Sequence, residues 1–276
     1  MLSLGNMIRK SQPALFWCMR SLSKPKREAI FTLFAFCRHL DSVSRSLMPA
    51  KEKLDLLKAW REELDNIYDK KIPTTDIGRK IYKNCLRFNL PKDLWLEILY
   101  SAYLNAKAPL RAPDIQTFEQ YIKGAAEVPF KLALMIIDPE HAKAGDELSK
   151  NLGRAVLLTY ILRDVKDDAK SGYMYIPAEI LKQFEVEIDT PREIVEDRNF
   201  TVAREKLAEY AEKSYIKAER LLAKMNYTDT RSLRLIYNLC RCQFDMMNKR
   251  GWQIISPKPK VNFIKRLNIL YRTLFG

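Results

Sequence analysis

Glycine is scarce in this chain, at 8 of 276 residues, and no Gly- or Ser-rich linker or internal repeat interrupts it. That argues against tethered modules and for one continuous domain over residues 1–276. Only two histidines occur, His39 and His141. None of the five cysteines (Cys18, Cys37, Cys85, Cys240, Cys242) has metal-ligand spacing with either of them. Cys240 and Cys242 alone are too few for a zinc site, and all five read as reduced, mostly core residues of a cytosolic-type compartment. No apolar run is long enough to span a bilayer. The opening "MLSLGNMIRKSQPALFW" has no long apolar core, so it does not read as a signal peptide. Expected membrane contact is therefore peripheral, on the inner face of a membrane. Acid is the other shortage. The formal charge is +14, and no Asp or Glu follows Asp245. Such an excess suits phosphate, an anionic membrane or nucleic acid. Net charge alone carries the nucleic-acid reading and no motif supports it, so none is expected.

What is present is helical periodicity. Apolar residues recur at helical spacing almost throughout, which predicts one all-α domain with a sizeable core. The pattern places helices at 24–47, 50–71, 76–89, 91–108, 114–137, 146–168, 178–184, 200–225, 229–250 and 261–275. Pro25 and Pro91 fall in first turns, where a missing N–H is tolerated. Gly124 and Pro129 interrupt the fifth helix and predict a kink at Pro129. The aromatic group Phe16, Trp17, Phe31, Phe34 and Phe36 reads mainly as core, with part of it able to line a lipid cavity. The last helix, with Phe263, Ile264, Leu267, Leu270, Tyr271, Leu274 and Phe275 on one face, reads either as a final packed helix or as a basic amphipathic surface for anionic lipid.

Two helices carry the candidate chemistry. Phe34, Arg38, Asp41 and Arg45 step along one face of the first at intervals of four, three and four. Leu157, Ile161, Asp164 and Asp168 do the same on the sixth. Each stripe runs from an apolar half into a charged half. Facing each other, they would form a pocket greasy at one end and ionic at the other, a shape suited to a prenyl diphosphate. Mg²⁺ usually takes one or two carboxylates plus substrate phosphates, and Asp164 and Asp168 lie one turn apart. Asp164 and Asp168 are thus candidate catalytic metal ligands. Arg38 and Arg163 are candidates for diphosphate oxygens, and Phe34 for the allylic chain. A lone D-x-x-x-D on a helix is also a common solvated face. Tyr173 and Tyr175, in the loop after the aspartates, either cover the pocket or pack a turn. His39 lies off the charged stripe and is not expected to be catalytic.

The stretch "LGRAVLLTYILRDVKDDAKSGYMYIP" resembles the second aspartate-rich signature of the squalene/phytoene synthase family. "KPKREAIFTLFAFCRHLD" resembles its first signature, and "FDMMNKRGWQIISPKPKV" resembles the C-terminal part of bacterial presqualene diphosphate synthases. The resemblance spans nearly the whole chain in order. It implies a single-domain isoprenoid-synthase bundle with a central cavity. It also implies Mg²⁺-dependent head-to-head joining of prenyl diphosphates, of farnesyl type. Asp164, Asp168 and Arg163 match the second signature; Arg38 and Asp41 match the first, which implies Asp41 as a further catalytic metal ligand, with Arg45 one turn on as a direct contact to diphosphate. Departures from the family pattern are numerous. Arg45 stands where the family has its second aspartate, Ser42 replaces an adjacent acid and Phe34 replaces a tyrosine. Ala14, Leu157, Tyr160 and Pro129 fall at family serine, glutamine, asparagine and glycine positions, and acids usual on the fourth helix are missing from "YSAYLNAKA". Arginine cannot ligate Mg²⁺ or lose its charge. The resemblance therefore leaves two outcomes: a working prenyltransferase, or a family member that kept the fold and lost the reaction. Non-catalytic relatives include an assembly factor for respiratory complex I, and a lipid-binding role on the same fold belongs to this second outcome.

Overall fold

The computed structural model describes residues 19–140, 145–187 and 189–275. Ala14, Phe16, Trp17, Cys18 and His141 lie outside them. After one 3₁₀ turn at Met19–Ser21 come α1 (Lys24–Ser44), α2 (Ala50–Tyr68), α3 (Asp76–Phe88), α4 (Lys92–Lys107) and α5 (Ile115–Ile122). A π-helical turn (Lys123–Glu127) leads into α6 (Val128–Ile137), then α7 (Asp146–Lys170) and α8 (Ala178–Gln183). The chain ends with α9 (Pro191–Glu196), α10 (Phe200–Ala223), α11 (Tyr227–Arg250) and α12 (Phe263–Phe275). The all-α reading holds.

Local chemistry sets several boundaries. Asp114 accepts from the Thr117 N–H at 2.6 Å and starts α5. Thr190 and Glu193 form a capping box that starts α9, a helix the periodicity missed because it is under two turns long. The first turn of α3 is held from another helix. Glu63 of α2 accepts the backbone and hydroxyl hydrogens of Thr74 and Thr75, all within 3.1 Å. Burial pushes the Glu63 carboxyl up, but these four bonds outweigh it and hold the group below its ordinary range.

Helix α7 is central, and its packing on α10 is the most extensive helix–helix contact. Ala203, Ala208, Ala211 and Ala218 on the buried side of α10 keep that face small. Phe36, fully buried on α1, meets Trp60 and Trp95 edge-on at 5.2 and 5.3 Å. Phe31 is likewise core.

Three expectations change. The 114–137 segment does not break at Pro129; it stays helical through the π turn. Pro129 falls in the first turn of α6, where its missing donor costs little. The wound-out turn is wedged between neighbours. A Cβ on Gly124 would sit 2.7 Å from Ser101 Cβ of α4, and one on Gly153 of α7 would sit 2.8 Å from the Ala126 carbonyl oxygen. Second, α1 ends at Ser44, so Arg45 is its C-cap, with its N–H on the Asp41 carbonyl at 3.0 Å. Third, the apolar face expected on the last helix is divided. Leu270 packs against the core while Phe263, Ile264, Leu267 and Tyr271 are exposed. The side chains of Leu274 and Phe275 lie outside the described set.

Candidate active site

Helices α1 and α7 face each other across a cavity of about 420 Å³. Phe34 from α1 and Leu157 and Tyr160 from α7 line it, with Pro129 and Ala133 from α6 and Leu239 from α11. The positions where polar family residues were expected thus make an apolar wall. The lining also takes in the polar side chains of Arg163, Gln243 and Arg266. Of the two stripes, Phe34 and Leu157 line the cavity, and the charged halves adjoin it through Arg163, which pairs with Asp164.

The charged half is an ion-pair lattice. Arg163 Nε and Nη2 reach the two Asp164 oxygens at 3.0 and 2.6 Å, and its guanidinium lies over Tyr160, 4.6 Å from the ring centre. Lys258, from the segment after α11, touches Asp164 Oδ1 and Asp167 Oδ2, each at 2.6 Å. Arg45 Nη2 meets Asp168 Oδ1 at 2.6 Å, and its Nη1 donates to Tyr175 Oη at 3.2 Å. The Arg45 guanidinium also covers Tyr173, 4.7 Å from the ring centre. Tyr173 and Tyr175 are buried and stacked at 5.9 Å, and Tyr121 stacks on Tyr175 at 5.2 Å. These tyrosines therefore form the floor under Arg45 and do not hang over the mouth. A β-bridge between Arg111 and Met174 pins their loop in place. Arg38 is exposed, and Asp41 is half-buried beside Arg45.

Each carboxylate titrates according to its neighbours. Burial raises Asp164, but the hydrogen bonds from Arg163 and Lys258 and their charges win, and its carboxyl lies below the ordinary range. Asp168 goes the other way. Burial lifts it above the ordinary range, and Arg45 offsets this only in part. Asp41 is also lifted by burial, against Arg45 and Arg38. Burial pushes the Tyr175 hydroxyl up to about 12.

Among the described residues, no three His, Cys, Asp or Glu side chains lie together closely enough to hold a metal ion. Asp164 and Asp168 instead face cations of the protein itself, Arg163 and Lys258 at the first and Arg45 at the second.

Lys258, Gln243 and Arg266 were not legible as site residues. Lys258 stands 94 positions from Asp164, in an irregular segment with no spacing rule to connect them. That segment is anchored by Arg204 of α10, which is completely buried. Arg204 donates to the Leu162 carbonyl at 2.7 Å, to the Ile254 carbonyl at 3.3 Å and to the Trp252 carbonyl. Burial lowers it to about 10. His39 packs edge-on against Trp60 at 5.4 Å, away from the lattice. The described cysteines, Cys37, Cys85, Cys240 and Cys242, are free.

Known proteins resemble this chain in sequence and fold. The family model for squalene/phytoene synthase matches residues 8–265. A presqualene diphosphate synthase of Rhodopseudomonas palustris is 30% identical over 258 residues, covering 93% of this chain and 91% of its own. One from Sinorhizobium fredii is 26% identical, covering 92% and 90%. Among solved structures, a dehydrosqualene synthase superposes with a TM-score of 0.84 at 21% identity over 98% of this chain and 93% of that one. A squalene synthase from Alicyclobacillus acidocaldarius superposes at 0.77 with 19% identity, over 90% and 93%. A family match across nearly the whole length, with the same all-α fold around an apolar cavity, identifies the chain as a member of the squalene/phytoene synthase family.

Proposed function

We propose that this chain takes a farnesyl-type prenyl diphosphate and carries out head-to-head prenyl transfer, the reaction class to which its presqualene diphosphate synthase relatives point. The observation that carries the reading is the cavity, whose lining is mainly apolar and includes the cations Arg163 and Arg266. The prenyl chain would lie along Phe34 and Leu157. Arg163 and Arg38 would hold diphosphate oxygens by charge-assisted bonds, with Arg266 adding charge at the rim. Apolar walls would keep water from an allylic cation, and the Tyr160 ring would stabilise it through its face. Asp164 and Asp168 would act in this reading only after exchanging their present partners for substrate-borne groups. An anionic membrane reached through 261–275 would be the place where the apolar chain is exchanged.

A second reading is favoured by one specific contact. Arg45 occupies Asp168 and lies beside Asp41, so the mouth is neutralised from within. That suits a non-catalytic, lipid-binding or assembly role on the same fold. The deciding experiment incubates the purified chain with farnesyl diphosphate, with Mg²⁺ or with EDTA. Organic products and released diphosphate are both measured, alongside equilibrium binding of a non-hydrolysable prenyl diphosphate. Presqualene diphosphate or a related C30 product supports transfer. A chain that is folded yet inert, with or without Mg²⁺, sinks the first reading and leaves the second.

A further inference from the structure

We propose that α12 docks the protein on an anionic lipid bilayer through its outer stripe, setting the cavity mouth against the membrane. This deepens the functional reading by naming the partner of the site. Only the identity of the exchanged lipid rests on that reading; the docking does not.

The stripe is built from residues that a buried helix would not leave outside. Phe263 is 73% exposed, Ile264 78% and Leu267 47%, and Tyr271 beside them is 67% exposed. At 100° per residue these four fall within about one quarter to one third of the helix circumference. The Thr273 side fixes the helix to the bundle. Asn238 Nδ2 of α11 donates to Thr273 Oγ1 at 2.8 Å, Tyr227 Oη donates to the Thr273 carbonyl at 2.8 Å, and Leu270 packs inward. The orientation of the apolar stripe is therefore set, not a matter of a loose tail.

Charge selects the occupant. Residues 246–276 contain Lys249, Arg250, Lys258, Lys260, Lys265, Arg266 and Arg272 and no acid. Lys265 and Arg272 flank one border of the stripe and Arg266 the other, the layout of a helix lying in a lipid interface. A second copy would bring the same cations face to face across a twofold axis, a repulsive arrangement. An anionic bilayer answers both the apolar stripe and the cations. No described helix is long and apolar enough to cross a membrane, so the helix lies in the surface. Arg266 and Val261 also line the cavity, so docking places its mouth at the bilayer.

The test uses the full chain and sedimentation with lipid vesicles. One set is phosphatidylcholine alone and the other contains phosphatidylglycerol. Binding is expected with the anionic vesicles and is expected to weaken steeply with salt. Phe263→Ser with Ile264→Ser, and separately Lys265→Glu with Arg272→Glu, should each lower partitioning on the order of tenfold with an unchanged melting temperature. Wild-type failure to bind, or variants that bind like wild type, overturns the proposal. So does a concentration-dependent dimer abolished by the same apolar variants, which would make the stripe a copy–copy interface. Lack of turnover with farnesyl diphosphate would count against the enzyme reading alone.

Discussion

Arg45 Nη2 lies 2.6 Å from Asp168 Oδ1, tying the C-cap of α1 to α7 across 123 positions of sequence. The pair is half-sheltered, with the arginine side chain 30% and the aspartate 12% exposed. It puts a permanent positive charge beside a carboxylate that the family pattern assigns to metal. The same guanidinium faces Asp41 and rests on Tyr173, so its removal would disturb more than one partner.

Arg45→Ala should therefore destabilise the fold by about 1–2 kcal/mol, the range for losing a charge-assisted bond at a partly exposed site. Arg45→Asp with Ser42→Asp should destabilise further without divalent cation, because carboxylates then crowd Asp168 and Asp41. Millimolar Mg²⁺ should raise the melting temperature of the double variant and leave the wild type unmoved. Thermal melts across a Mg²⁺ series make the check. A wild-type shift equal to the variant's would show that Arg45 does not block the site.

Acid titration separates the two aspartates, because their shifts have opposite sign. Asp164 is held below its ordinary value of ~3.9, so its ionised form contributes stability in full above that pH. That contribution is lost as pH falls through the lower folded value. Lys258→Ala should cost about 1 kcal/mol near neutrality and progressively less below pH ~4. Asp168 is held above its ordinary value, so its ionisation costs stability as pH rises through the folded value. The deficit of Arg45→Ala should be largest near neutrality and shrink as Asp168 protonates. Urea denaturation at a series of pH values reads both, and a pH-independent deficit would refute the assignments.

Filling the cavity should block ligand without harming the fold. Ala133 is partly buried and lines the chamber from α6, opposite the Phe34 wall. Ala133→Trp should lower binding of a fluorescent prenyl diphosphate analogue at least tenfold, about 1.4 kcal/mol, while circular dichroism stays native. Unchanged affinity would place the ligand elsewhere.

Arg204→Met removes a buried cation whose closest bonds go to backbone carbonyls, with a longer contact to Met247 Sδ. Leu162, Trp252 and Ile254 would lose a donor, and the expected cost is about 2–4 kcal/mol. Arg204→Lys should recover part of this through a single ammonium. Equilibrium unfolding of both variants gives the comparison, and a neutral Arg204→Met would show that water replaces the guanidinium.

Helix identity was legible because apolar spacing is a local signal, and the two four–three–four stripes marked the helix faces that carry Asp41, Asp164 and Asp168. The partners of those groups were less legible. A stripe says which way Asp168 points but not that Arg45, released from the helix at its C-cap, swings onto it. Lys258 and Gln243 come from elements whose approach depends on the whole bundle. Pro129 signalled a kink, yet it falls in the first turn of α6, just after the π turn where Gly124 lets α4 come close. The last helix misled in another way. Its apolar residues share one broad face, so periodicity alone could not say which part of that face meets the protein.

The buried Arg204 has a consequence for how the molecule opens. Residues 251–262 have little regular hydrogen bonding and would ordinarily exchange their amide protons as a surface loop. Arg204 joins the Trp252 and Ile254 carbonyls of that segment to the Leu162 carbonyl in the middle of α7. The segment is therefore expected to open together with the α7–α10 pair. Lys258 should then leave its aspartates only when the central helices open, more slowly than a surface loop moves.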